Sequence, residues 1–309
     1  MTPTGAAIRP PAVAGSFYPA QPGALAALVA DLYAAAGASS SAAEPATRGR
    51  TRSVLGALVP HAGIVYSGAV AAAGWRSIAD PALGAEPTVV VLGTNHRAPW
   101  SHGIQAWADG AWRTPLGDVA VDLELAQEIV GLGPPFGHDR DPHLSEHSIE
   151  VQLPLLQILR PRARIVPLSV SATTADGSIS AGERLGVLLA RWRSQQGAVV
   201  VVISTDLAHY PSATDAGRVT DELIPAIQAL DAMNLEALER DVVRRGIPGV
   251  VCGMCGIAPT LFGLATLRAI GADGAVMLAK ATSADAGGPP DRTVGYLAAA
   301  FDGVTTLGR

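Results

Sequence analysis

The chain has 309 residues, 49% of them hydrophobic and 16% charged, with a net charge of -5. That composition supplies a large core for one α/β domain and, with a pI near 5.8, argues against nucleic acid as the main partner. No apolar run reaches the ~18 residues of a membrane span, and no basic-then-apolar start marks a secretion signal. Two cysteines cannot build a disulfide framework. A cytoplasmic protein is therefore expected, with no membrane partner.

The stretch Ala12 to Pro19 reads as a compact turn carrying Phe17 and Tyr18. Leu25, Leu28, Val29 and Leu32 recur at helical spacing, and residues 38–50, rich in Ser, Ala and Pro, read as an exposed loop within a single domain spanning 1–309. The apolar run Val54 to Val59 predicts a buried strand stopped by Pro60, which has no N–H for a ladder. His61 stands just past that end, and a helix is expected from Ala69 to Trp75. Thr88 to His96 repeats the layout: a buried strand, a Gly turn and a histidine. Ile104–Trp107 and Trp112–Val121 alternate like strands about the turn Ala108-Asp-Gly110, which predicts a hairpin.

A helix is expected over Leu123–Val130. The loop Gly131–Ser145 leads into Glu146-His-Ser-Ile-Glu150, from which a helix should run to Leu159 with Pro154 near its first turn. Arg164–Val170 predicts a third strand and Ala181–Arg193 a helix. Ala198 to Asp206 is the clearest strand and runs out into Ser204, Thr205, Asp206 and His209. Helices over 216–230 and 234–245 precede Val250-Val-Cys-Gly-Met-Cys-Gly256. A helix over 258–270 and strands over 275–282 and 293–301 close the chain. Strands alternating with helices, plus the hairpin and the final strands, predict an α/β fold with a mixed, mostly parallel central sheet flanked by helices.

Parallel strands in one sheet would bring His61, His96 and the Asp206/His209 pair to one edge, where open α/β sheets bind ligands. Two imidazoles plus a third, anionic ligand suit a transition metal with open positions. Cys252, Asp206, Glu146 and Glu150 are the candidates for that ligand. Glu146 and Glu150, spaced i,i+4, could equally be a solvated face, and His102, His138 and His143 are expected to be exposed loop residues. No phosphate-binding lysine loop, dinucleotide fingerprint or GxSxG elbow is present.

Six motifs occur in order: Ala14-Gly-Ser-Phe-Tyr-Pro19; Pro60-His-Ala-Gly63 with Tyr66-Ser-Gly68; Leu92-Gly-Thr-Asn-His96; Glu146-His-Ser-Ile-Glu150 with Gln152-Leu-Pro154; Ser204-Thr-Asp206 with His209-Tyr210; and Cys252-Gly253. Together they resemble the Memo family, whose prokaryotic members are called AmmeMemoRadiSam system protein B. The resemblance implies a fold like that of the class III extradiol dioxygenases. It also implies a metal, Fe(II) first with Cu or Zn as alternatives, held by His61, His96 and Cys252. His209 and Asp206 would then be catalytic, His209 as acid/base. Glu146, His147, Glu150, Tyr66 and Asn95 lie within the motifs and would support the ligands or line the pocket.

Three positions depart from the pattern: Ile64 where an aromatic is frequent, Arg97 after His96, and the extra thiol Cys255. Three functions follow as expectations. One is an oxidoreductase acting with O2 on a small-molecule or peptide substrate. Another is a non-catalytic peptide-binding signalling module, and the third a zinc hydrolase. The family name further implies an AMMECR-like protein and a radical SAM protein as partners.

Overall fold

All six residues of Val199–Ser204 are buried, the signature of a strand covered on both faces. This strand, β9, lies inside the main sheet of the computed structural model, which describes residues 7–39, 52–84 and 86–304. From residue 40 on, the loop expected at 38–50 lies outside the described residues.

In chain order the strands are β1 (Ile8–Arg9), β2 (Arg52–Val59), β3 (Thr88–Thr94), β4 (Ile104–Ala106), β5 (Ala111–Thr114), β6 (Gly117–Ala120), β7 (Phe136–Gly137), β8 (Arg164–Val170), β9, β10 (Gly274–Thr282) and β11 (Gly295–Val304). The helices are α1 (Pro22–Ser39), α2 (Ile64–Ser77), α3 (Leu123–Val130), α4 (Asp141–Leu144), α5 (Leu153–Leu159), α6 (Ala175–Gln195), α7 (Ala213–Gln228), α8 (Ala232–Arg244) and α9 (Ile257–Ala269).

Eight strands form a mixed sheet in the order β10-β11-β2-β9-β3-β8-β4-β7. Its centre, β2-β9-β3-β8, is parallel, and β11 and β4 join it antiparallel on either side. α2 packs on β10, β11, β2 and α1, while α9 packs on β9, β3, α6 and α8. One contiguous apolar core runs through these layers. Each fully buried Val, Leu or Ile contributes roughly 1.5–3 kcal/mol against the entropy of ordering the chain.

Several sequence expectations need correction. The hairpin is not made across residues 108–110. β4 joins the main sheet, and β5 and β6 pair across the turn 115–116, closed by Gly117 at φ 118. β1 adds to them as a third, parallel strand. The helix expected from residue 146 starts only at Leu153, with Pro154 in its first turn, where no N–H is needed. α2 starts at Ile64, much closer to His61 than the expected Ala69. Among the described residues, no helix is long and apolar enough to cross a membrane.

Candidate functional site

The parallel centre of the sheet delivers three polar segments at one edge. His61 follows β2, His96 follows β3, and Asp206 follows β9 between them. The loop 145–149 closes on the same edge and brings a further imidazole, His147. The three rings form one cluster, with centroids 5.4 Å apart for His61–His96, 5.3 Å for His61–His147 and 5.0 Å for His96–His147. Phe17, from the N-terminal turn, packs on His147 at 4.6 Å, and its carbonyl accepts from Ile64 N at 2.8 Å.

The thiol in this cluster is that of Cys255, whose Sγ lies 3.2 Å from His61 Nε2. Ligand atoms of His61, His96 and Cys255 all fall within 4.8 Å of one another. Cys252, the thiol expected there, does not join any such group among the described residues. It sits instead in a backbone bridge with His209, whose N–H donates to Cys252 O at 3.0 Å. The reason for the three-residue offset lies in contacts with the end of β9. Cys255 N donates to Asp206 O, and Gly256 N to Thr205 Oγ1 at 3.0 Å, which ties this turn to the end of β9. A Cβ at Gly256 would lie 2.6 Å from Thr205 Oγ1 and 3.0 Å from Thr94 Oγ1, so only glycine lets the turn come this close.

Glu146 is buried and shapes the cluster without being spare for a ligand. It accepts from the backbone N–H groups of His96, His147 and Ser148 at 2.7–2.9 Å, and from His96 Nδ1 at 3.0 Å. A carboxylate only accepts, so His96 carries its proton on Nδ1 and turns the Nε2 lone pair away from Glu146. His147 Nδ1 also lies 3.0 Å from Glu146, but off the hydrogen-bond direction. His96, Glu146 and His147 form a second group with metal-ligand spacing. Its carboxylate is already spent on four donors, and we read the group as support for His96. Burial would push the Glu146 carboxyl up. The imidazoles of His147 and His96 outweigh it and hold the group well below the usual carboxylate range.

Asp206 Oδ1 accepts from the backbone of His61 at 2.7 Å and of Ala62 at 3.2 Å, which fixes the His61 turn. Burial raises its carboxyl, against the opposing influence of His209 and of these N–H groups. His209 does not hydrogen-bond to Asp206. Its Nδ1 donates to Leu207 O at 2.7 Å, leaving the Nε2 lone pair free. Burial, reinforced by His147 and His96, lowers His61 well below the imidazole range, so it is neutral at pH 7 as a ligand must be. Burial and the Asp206 charge push the Cys255 thiol up. A bound cation would reverse that bias, since a coordinating thiol deprotonates.

The other expected residues have mixed placements. Glu150 is fully buried but holds the N-terminal segment, accepting from Arg9 Nη1, Ala12 N, Val13 N and Tyr18 OH. Asn95 braces its own loop, donating to Ala98 O and Ser171 Oγ. Tyr66 is exposed on the first turn of α2. His102 and His138 are exposed, but His143 is fully buried against Trp107 and Trp112. Ser204, Gln152 and Arg9, which sequence reasoning gave no role, turn out to brace the site. Ser204 and Gln152 lay within the quoted motifs, and their polar character next to a buried strand end and a buried helix was the available signal.

Two imidazoles and a thiol in reach of one point make a donor set for a transition metal and against Mg or Ca. Residues 9–300 match the family described as Memo-like protein. The chain belongs to the Memo family. It is 36% identical to a MEMO1 family protein of Methanopyrus kandleri, over 95% of this chain and 98% of that one. A MEMO1 family protein of Aquifex aeolicus is 33% identical, over 95% and 99%. The crystal structure of an uncharacterized Escherichia coli K12 protein shares the fold, with a TM-score of 0.50 at 15% identity, over 81% of this chain and 99% of that one.

Proposed function

We propose that this Memo-family protein is a metal-dependent oxidoreductase that uses Fe(II), held by His61, His96 and Cys255, with O2 as co-substrate. The observation that carries the reading is the meeting of two imidazoles and one thiol at a sheet edge, with ligand atoms within 4.8 Å. Three protein ligands leave positions open on a four- to six-coordinate metal. When bound, the metal supplies a redox-active Lewis acid.

The chain's own residues supply the rest. Glu146 presents His96 by holding its Nδ1 proton. Asp206 fixes the turn that carries His61. His209, with Nδ1 tied to Leu207 O, takes or returns a proton at Nε2. Phe17 and the stacked His147 and His96 rings form an aromatic wall beside the cluster. The substrate is a small molecule or a peptide side chain, and association with an AMMECR-like protein and a radical SAM protein belongs to the same proposal.

The test is elemental analysis of protein purified without oxygen, followed by oxygen uptake with a substrate panel. Iron near one per chain and substrate-dependent uptake support the reading. Stoichiometric zinc with ester or amide hydrolysis would replace it with a hydrolase. A metal-free protein that binds peptides without turnover would replace it with a binding module.

A further inference from the structure

A neutral imidazole carries one proton, on either ring nitrogen, and a histidine can bind a metal through Nε2 only if that proton is on Nδ1. We infer that Ser204 and Gln152 lock His61 in the Nδ1–H tautomer, so that Nε2 presents its lone pair toward Cys255 before any metal arrives. The consequence for metal binding rests on the proposal above, but the tautomer itself does not.

At the two ends of a buried hydrogen-bond chain, each group has only one role. Trp75 Nε1–H can only donate, and it points at Gln152 Oε1 at 2.9 Å. Pro60 O can only accept, and it faces Gln152 Nε2 at 2.9 Å. These contacts orient the Gln152 amide, because a flip would set oxygen against oxygen and N–H against N–H. Gln152 Nε2 therefore also donates to Ser204 Oγ at 3.0 Å. Ser204 has a single proton, and it goes to Ser148 O at 2.6 Å, a carbonyl that can only accept. What remains on Ser204 toward His61 Nδ1, 3.1 Å away, is a lone pair. His61 Nδ1 must then be the donor.

Nothing in the surroundings relaxes this chain. Trp75, Gln152 and Ser204 are fully buried and His61 is 1% exposed, so water does not stand in for any partner. The groups come from α2, the end of β2, the 3-10 turn Glu150–Gln152 that leads into α5 and the end of β9, all packed in the core. On the far side of the ring, Nε2 lies 3.2 Å from Cys255 Sγ, where the lone pair meets the thiol. His96 is fixed the same way by a carboxylate, and His61 by a hydroxyl. Ser204 and Gln152 are thus positioning residues, acting on the ligand through its other nitrogen.

The experiment is ¹H–¹⁵N long-range correlation of metal-free protein labelled at histidine, with the His61 signals assigned by their loss in His61→Gln. Wild type should show a protonated Nδ1 and an unprotonated Nε2. Ser204→Ala should shift His61 toward the Nε2–H tautomer and weaken Co(II) binding by about 10- to 100-fold, and Ser204→Thr, which keeps the hydroxyl, should restore both. A protonated Nε2 with bare Nδ1 in wild type overturns the inference, whatever the metal data show and whether or not Ser204→Ala folds. It is equally overturned if Ser204→Ala keeps both the Nδ1–H tautomer and full Co(II) affinity. An Nδ1–H wild type that binds no Co(II) supports the tautomer lock and removes the metal proposal alone.

Discussion

Replacing Arg9 by methionine should cost the fold about 3–5 kcal/mol, the range for breaking a buried ion pair. Arg9 and Glu150 are both fully buried, with Nη1 and Oε2 2.5 Å apart. Arg9 also donates from Nε to His143 O at 2.7 Å and from Nη2 to Glu146 O at 2.6 Å, and it lies 4.0 Å over the Trp112 ring. Methionine keeps an unbranched apolar stem but loses the guanidinium that lies over the Trp112 ring. It leaves the Glu150 carboxylate without its cation and the Glu146 carbonyl without its donor, worth about 1–3 kcal/mol, while His143 O keeps only the weaker Glu146 N–H at 3.4 Å. Glu150 still accepts from Ala12 N, Val13 N and Tyr18 OH, so the total falls short of a simple sum. Urea unfolding with an unchanged m-value measures the loss directly. The double variant Arg9→Met/Glu150→Gln removes the stranded charge but sets the amide NH2 against the Ala12 or Val13 N–H, so its recovery should be small. A single variant within about 1 kcal/mol of wild type would refute the reasoning.

The remaining predictions concern pH and the candidate centre. Burial, with the Arg9 charge, lowers His143 to about 3, so below pH ~6.5 the unfolded chain takes up a proton that the folded one refuses. Stability should fall with pH from there toward 3, by at most about 1.4 kcal/mol per unit from this group, and His143→Phe should flatten that slope in urea titrations. Cys255→Ser should weaken Co(II) binding by more than the about 10–100-fold of a lost supporting contact, while Cys252→Ser leaves it nearly unchanged; the reverse order restores Cys252 as the ligand. His209→Ala should retain metal and lose turnover by about 10²–10⁴-fold, and loss of metal instead would make it a ligand.

The sheet was legible because its central strands are continuous apolar runs. Arg164–Val170 matches β8 residue for residue, and Thr88–Thr94 and Val199–Ser204 fall within their expected runs. The order of strands was not legible. His61 and His96 leave β2 and β3, which look adjacent in sequence, yet β9 lies between them and puts Asp206 in the middle. The start of α6 was missed because 175–180 has no apolar stripe; its signal is polar, the Thr174 side chain capping Gly177 N. The hairpin was misplaced because Asp109-Gly110 is a stronger turn signal than Pro115-Leu116-Gly117. Cys252 and Cys255 are each followed by glycine, and spacing alone does not choose between them. The choice comes from the contacts of Gly256 with Thr94 and Thr205, both more than fifty residues away along the chain.

Burial of charge was the least legible feature, and it is what ties the N-terminal turn to the site. The i,i+4 spacing of Glu146 and Glu150 left a candidate ligand and a solvated face as alternatives for both, but no helix spans them. Each carboxylate is instead enclosed by its own set of donors. Glu146 gathers three backbone N–H groups and His96; Glu150 gathers two backbone N–H groups, a tyrosine and Arg9. Arg9 lies 141 residues from Glu150, and no local pattern announces such a pair. An ion pair taken out of water gains little unless every remaining donor and acceptor is satisfied; here the His143 and Glu146 carbonyls satisfy Arg9, and Ala12 N, Val13 N and Tyr18 OH satisfy Glu150. The loop's conformation is therefore fixed by groups that never touch the cluster. Arg9 and Tyr18 hold Glu150, and Arg9 also holds the carbonyls of His143 and Glu146. Glu146 in turn holds His96.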